Sequence, residues 1–89
     1  MKTIVLNINR FDNMIEVHEY LKKKFNFPEY YGKNLDALYD CLTSLKGEYN
    51  IVIKNRDDRN IISESDIDSL ISVFNSVKRK NNEFYISIV

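Results

Sequence analysis

The chain has few of the parts that would let it cross-link, cradle a phosphate or attract a polyanion. Cys41 is the only cysteine in 89 residues. No internal disulfide can form, and nothing in the sequence demands an oxidising compartment. With two glycines in all, there is no glycine-rich loop to wrap a phosphate. Thirteen basic residues cancel thirteen acidic ones. A neutral chain is a poor nucleic-acid binder, because that affinity comes mainly from neutralising phosphates. Long apolar runs are missing too. The opening "MKTIVLNINRF" is interrupted at Asn7, which is too short for a signal-peptide core, and no stretch could span a membrane. The expectation is a soluble, cytoplasmic protein. No repeat, low-complexity run or linker divides it.

What is present suits one folded unit. Hydrophobic residues make up 44% and charged residues 29%, an ordinary globular balance. A single domain over residues 1–89 is expected, burying about 60–65% of the surface that its unfolded form exposes. "TIVLNI" at 3–8, "NIVIK" at 50–54 and "EFYISIV" at 83–89 read as strands, dense enough in apolar residues to suggest a sheet covered on both faces.

Helical patterns separate these strands. The first runs from about Asp12 to Phe25, with Asn13 and Glu16 resembling a capping box and Met14, Val17, Leu21 and Phe25 forming an inward stripe. His18 lies beside that stripe and reads as a packing residue, since no nucleophile or metal partner is near it in sequence. A second helix runs from about Asn34 to Leu45, after Pro28 and a turn marked by Gly32. "RDDRNIIS" at 56–63 suggests a short helical turn. A third helix spans about Glu64 to Arg79, opened by Ser63 with Asp66 and carrying Ile67, Leu70, Ile71, Phe74 and Val77 inward. The basic runs at 22–24 and 78–80 fall near helix C-termini, where positive charge complements the helix dipole. Strands separated by helices favour parallel pairing. The predicted fold is therefore α/β: a three-stranded parallel sheet with three to four packed helices.

The second helix carries the informative chemistry. Leu35, Leu38, Cys41, Leu42 and Leu45 share one side and belong to the core. Asp36, Tyr39, Asp40 and Thr43 share the other. The two aspartates sit one turn apart, about 6 Å along the axis at ~1.5 Å per residue. Like charges at that spacing cost a helix a few tenths of a kcal/mol. Asp36, in the first turn, regains some of this from the dipole, and Asp40 less. Just upstream, Tyr30 and Tyr31 flank Gly32, and Asn34 is the expected N-cap. One tyrosine, Tyr31, is expected to pack inward, leaving Tyr30 at the surface. Acids beside tyrosines make a negative, partly apolar surface suited to a cationic protein cleft.

Other chemistry is thin. Asp57 with Asp58, and Asp66 with Asp68, lack the glycine and terminal glutamate of a calcium loop. Asp36 and Asp40 lack a third oxygen ligand for magnesium. Cys41 faces inward with no base nearby, so a nucleophilic role is disfavoured. No catalytic residue, metal or cofactor is assigned.

The run "FPEYYGKNLDALYDCLT" at 27–43 resembles the barstar family, the intracellular inhibitors of barnase-type bacterial ribonucleases. The resemblance extends through the His18 helix with "LKKK", "EYNIVI" at 48–53 and "SVFNSVK" at 72–78. It implies a barstar-like, non-enzymatic domain, monomeric when free, whose partner is a basic, secreted ribonuclease. By position it implies that Tyr30, Gly32, Asn34, Asp36, Tyr39, Asp40 and Thr43 contact the nuclease. Asp40 would be the anchor, its carboxylate replacing a substrate phosphate. Asp36 would pair with basic residues at the cleft's rim. Tyr30 would stack near the catalytic histidine, and Gly32 would let the backbone approach closely. The best-known member carries tryptophan at the place of Tyr39 and an acidic residue near Ser76, a further contact position. Its second cysteine, near the last strand, is replaced here by Asn82 or a neighbour. The alternative reading is a barstar-like, antitoxin-like module for a different basic partner.

Overall fold

The computed structural model describes residues 1–55 and 61–89. The order is β1 (Lys2–Asn7), a 3-10 turn (Ile8–Arg10), α1 (Met14–Phe25), α2 (Leu35–Thr43), β2 (Tyr49–Lys54), α3 (Glu64–Lys80) and β3 (Phe84–Ile88). The three strands form one sheet in the order β1-β2-β3, and both pairings are parallel. The fold is thus the expected α/β arrangement of a three-stranded parallel sheet with three α-helices. The helical turn suggested within 56–63 falls largely outside the described residues, as do Asp57 and Asp58.

Register stacks like on like. Ile4 lies opposite Ile51 and Ile51 opposite Ile86, while Leu6 lies opposite Ile53. On that face Ile4, Leu6, Ile51, Ile53 and Phe84 are buried and join the core with the inner stripes of the helices. Val17, Leu21 and Phe25 come from α1, Leu38 and Leu42 from α2, and Ile67, Leu70, Phe74 and Val77 from α3. Met14 and Ile71 are half-buried at the margin.

The sheet is not covered on both faces, contrary to the expectation from its apolar runs. On the opposite face Val5 is 42% and Tyr85 40% exposed, with Thr3 and Ser87 exposed beside them. Valine, threonine and tyrosine suit a pleated strand whether or not a second layer covers them, so density of such residues overstates burial. The free edge of β1 is engaged instead by α1: the Tyr20 hydroxyl donates to the Val5 carbonyl, and Lys2 Nζ donates to the Lys24 carbonyl at 2.8 Å.

Each helix starts where its capping residue says it should. Asn13 Oδ1 accepts from the Glu16 amide at 2.9 Å, and Ser63 Oγ from the Asp66 amide at 3.1 Å. The capping box on α1 is shifted by one residue, since Glu16 Oε1 accepts from the Asp12 amide rather than from Asn13. Both basic runs lie in the last turns of their helices, α1 and α3. Between α2 and β2 the chain turns at Gly47, whose φ of +97° is a conformation that side-chain-bearing residues rarely adopt.

Candidate protein-binding face

Helix α2 is positioned from both ends. At its start Asn34 Oδ1 accepts from the Ala37 amide at 2.8 Å, and Asn34 Nδ2 donates to the Gly32 carbonyl at 3.3 Å. Gly32 does not supply the left-handed residue of this loop. That residue is Lys33, at φ 51°, whose ammonium lies 3.6 Å from a Glu19 carboxylate oxygen on α1. A Cβ at Gly32 would sit 3.2 Å from Asn34 Nδ2, so the glycine leaves room for the capping side chain. At the far end, the Thr43 hydroxyl donates to the Tyr39 carbonyl at 2.8 Å, and the Ser44 hydroxyl to the Asp40 carbonyl at 2.8 Å. The Ser44 amide still donates to the Asp40 carbonyl, but the Leu45 amide turns to the Leu42 carbonyl at 3.3 Å, and α2 ends at Thr43 rather than at Leu45.

The tyrosine pair divides as expected. Tyr31 is 5% exposed and Tyr30 87% exposed. Tyr31 packs on Phe27 with ring centroids 4.9 Å apart, and its hydroxyl lies 2.5 Å from His18 Nδ1. His18 is fully buried rather than marginal. Burial holds its imidazole below the ordinary value near 6.5. Burial, and then the neighbouring Cys41, push the Tyr31 phenol well above its usual range. This buried pair ties the loop before α2 to α1, and the exposed ring next to it has nowhere to go but outward.

On α2 itself, Leu38 and Leu42 are buried while Asp36 and Asp40 are exposed. Among the described residues the ion pairs are Lys22 with Glu29 and Lys33 with Glu19; neither aspartate takes part in one. Cys41 is half-buried, and its thiol is held high first by burial and then by the adjacent Asp40 charge. It is a poor nucleophile in that setting. Among the described residues, no group of three or more His, Cys, Asp and Glu side chains is arranged to hold a metal. No helix among them is long and apolar enough to cross a membrane.

A groove borders α2 on each side. Towards α3, a groove of about 570 Å³ is lined by Leu35, Asp36, Tyr39, Val73, Ser76 and Arg79, among others. Towards the preceding loop, a groove of about 360 Å³ includes Phe27, Tyr30, Asp40, Cys41 and Ser44. The structure thus brings Asp36, Tyr39 and Ser76 together on one side and Tyr30 and Asp40 on the other. Gly32, Asn34 and Thr43 line neither groove: the first two shape the start of the helix, and Thr43 is half-buried with its hydroxyl turned to its own backbone. Tyr39 is half-buried against the core rather than freely exposed.

Sequence reading missed two residues of this face, Arg79 and Lys80, which line the α3 groove opposite Asp36. The basic run had a sufficient explanation in the helix dipole. A finer signal was available in Ser72 and Ser76, four apart, with Arg79 and Lys80 three and four residues beyond Ser76, so that all border one helical stripe.

Comparison with known proteins adds to this geometry. A family model described as Barstar (barnase inhibitor) matches residues 1–89. A Bacillus subtilis (strain 168) protein named "Putative ribonuclease inhibitor YrdF" is 37% identical over 90 residues, covering 99% of each chain. With a family model spanning its whole length and a relative of this identity, the chain belongs to the barstar family of barnase inhibitors.

Proposed function

We propose that the chain is a non-enzymatic, intracellular inhibitor of a barnase-type ribonuclease, and that α2 with its preceding loop is the surface that enters the nuclease's active site. The observation that carries this reading is the pair of exposed carboxylates, Asp36 and Asp40, standing on a capped helix and in no ion pair with the described residues of their own chain. A carboxylate free of internal partners can take the place of a substrate phosphate among the cations of an RNA-cleaving site. Asp40 is the anchor, next to the exposed ring of Tyr30 across the loop-side groove. Asp36 extends the negative surface towards α3. Tyr39 and Ser76 complete the α3 side, with Gly32, Asn34 and Thr43 at the ends of the helix.

The mechanism is occlusion assisted by charge. The helix is already formed and capped by Asn34 in the free chain, so it need not fold on binding. The exposed acids also attract a basic protein over some distance, which speeds encounter.

The test is inhibition of barnase by the purified protein and by Asp40→Ala. Truncating one member of a desolvated charge pair costs about 2–5 kcal/mol, the barstar–barnase pair itself being among the cases that define this range. The inhibition constant is therefore expected to rise by about 30-fold or more. An unchanged constant, with the variant folded, would remove Asp40 from the mechanism.

A further inference from the structure

The α3 wall of the binding face has the opposite sign to the α2 wall. Asp36 lines one side of the groove, and Arg79 and Lys80 line the other. Arg79 is held in place rather than loose: one guanidinium nitrogen donates to the Ser76 hydroxyl at 2.9 Å. That bond uses one of five guanidinium N–H donors, and among the described residues Arg79 joins no ion pair. Lys78, in the same turn, complements the helix dipole equally well but does not line the groove. Dipole compensation therefore accounts for the charge of the run without accounting for its placement.

A partner whose cleft rim is cationic throughout would meet attraction at Asp36 and Asp40 and repulsion at Arg79 and Lys80. Like charges brought together at an interface are strongly unfavourable and act as a filter on partners. A carboxylate at the matching point would instead receive a forked guanidinium contact. Resting on the inhibitor reading above, we propose that Arg79 and Lys80 set partner specificity, and that the nuclease this protein is built for presents an acidic side chain to the end of α3, beside a cationic catalytic cleft. Ser76 serves this arrangement by orienting Arg79.

Barnase is the probe. Inhibition constants and association rates are measured at about 0.15 M salt for the natural chain, Arg79→Glu, Arg79→Gln, Lys78→Glu and Asp40→Ala, with thermal unfolding to confirm that each folds. Removing the mismatched charge should strengthen inhibition of this cationic nuclease in the order Arg79→Gln, then Arg79→Glu. The reversal should gain about tenfold or more. Lys78→Glu changes net charge by the same amount and should gain several-fold less. A natural chain that inhibits barnase weakly or not at all, with inhibition recovered by Arg79→Glu, also supports the proposal. Equal effects of Arg79→Glu and Lys78→Glu, or no gain from Arg79→Glu, overturn it. In those cases loss of inhibition in Asp40→Ala still upholds the inhibitor reading. Inhibition by none of the variants overturns both.

Discussion

Adjacent side chains in this protein have opposite fates, and Tyr30 and Tyr31 show it best. Tyr30→Ala removes a ring that is 87% exposed, so the melting temperature should barely move while inhibition weakens by about 1–2 kcal/mol or more. Tyr31→Phe should do the reverse. It leaves buried His18 Nδ1 without its hydroxyl partner, at a cost of about 1–3 kcal/mol in stability. Paired denaturation and inhibition titrations would separate the two, and matching effects on both readouts would contradict the assignment. His18 also sets a pH dependence. Its imidazole is held low by burial, so the fold favours the neutral ring. As pH falls below about 6.5 the unfolded chain takes up a proton that the folded chain resists. Stability is therefore complete above that value and declines below it, by no more than about 1.4 kcal/mol per pH unit for one group. The hydrogen bond to Tyr31 can reverse direction on protonation, so the cost is that of burying charge. His18 is the only histidine; urea titrations at pH 7.5 and 5.5 should show a loss that His18→Gln reduces.

The start of each helix was legible because a single side chain decides it. Asn13, Asn34 and Ser63 each accept the amide bond that their chemistry suggested. Helix ends were less legible. The arrest of α2 at Thr43 comes with the Leu45 amide turning to the Leu42 carbonyl, a choice that sequence spacing does not fix. The brief 3-10 turn at Ile8–Arg10 was absorbed into the strand signal, since Ile8 is apolar and buried like the strand residues before it. The sheet's open face was misread because β-branched residues signal extended backbone as much as burial. Capping has a functional corollary. Asn34→Ala should cost about 1 kcal/mol of stability and also weaken inhibition, because Asp36 and Asp40 ride on the helix that Asn34 fixes. If inhibition is lost while Asn34→Asp fails to restore it, the side chain acts through direct contact instead.

At the scale of the whole molecule, a formal charge of zero conceals a sorted surface. Acids crown α2 while the basic runs close α1 and α3. The exposed acids of α2 could be read from periodicity; the half-burial of Tyr39 and the approach of α3's basic end to Asp36 could not, because they depend on how the helices pack. On the proposed function, attraction to a basic nuclease would come from the local field of α2. The association rate should fall as ionic strength rises from about 0.01 to 0.15 M, over which the screening length shrinks from ~30 to ~8 Å. The dissociation rate should change much less, and stopped-flow mixing at several salt concentrations would show it. A flat association rate would remove steering from the mechanism.

The in-register parallel sheet carries a consequence for timing. Central strand β2 bonds to β1 and β3, and each pairing must wait for the helices looped between its strands. A nascent polypeptide can close the second pairing only once residues 84–88 have left the ribosome, so the scaffold under α2 is complete only after β3 is free. Refolding from denaturant should accordingly be slower than that of a helical bundle of similar size.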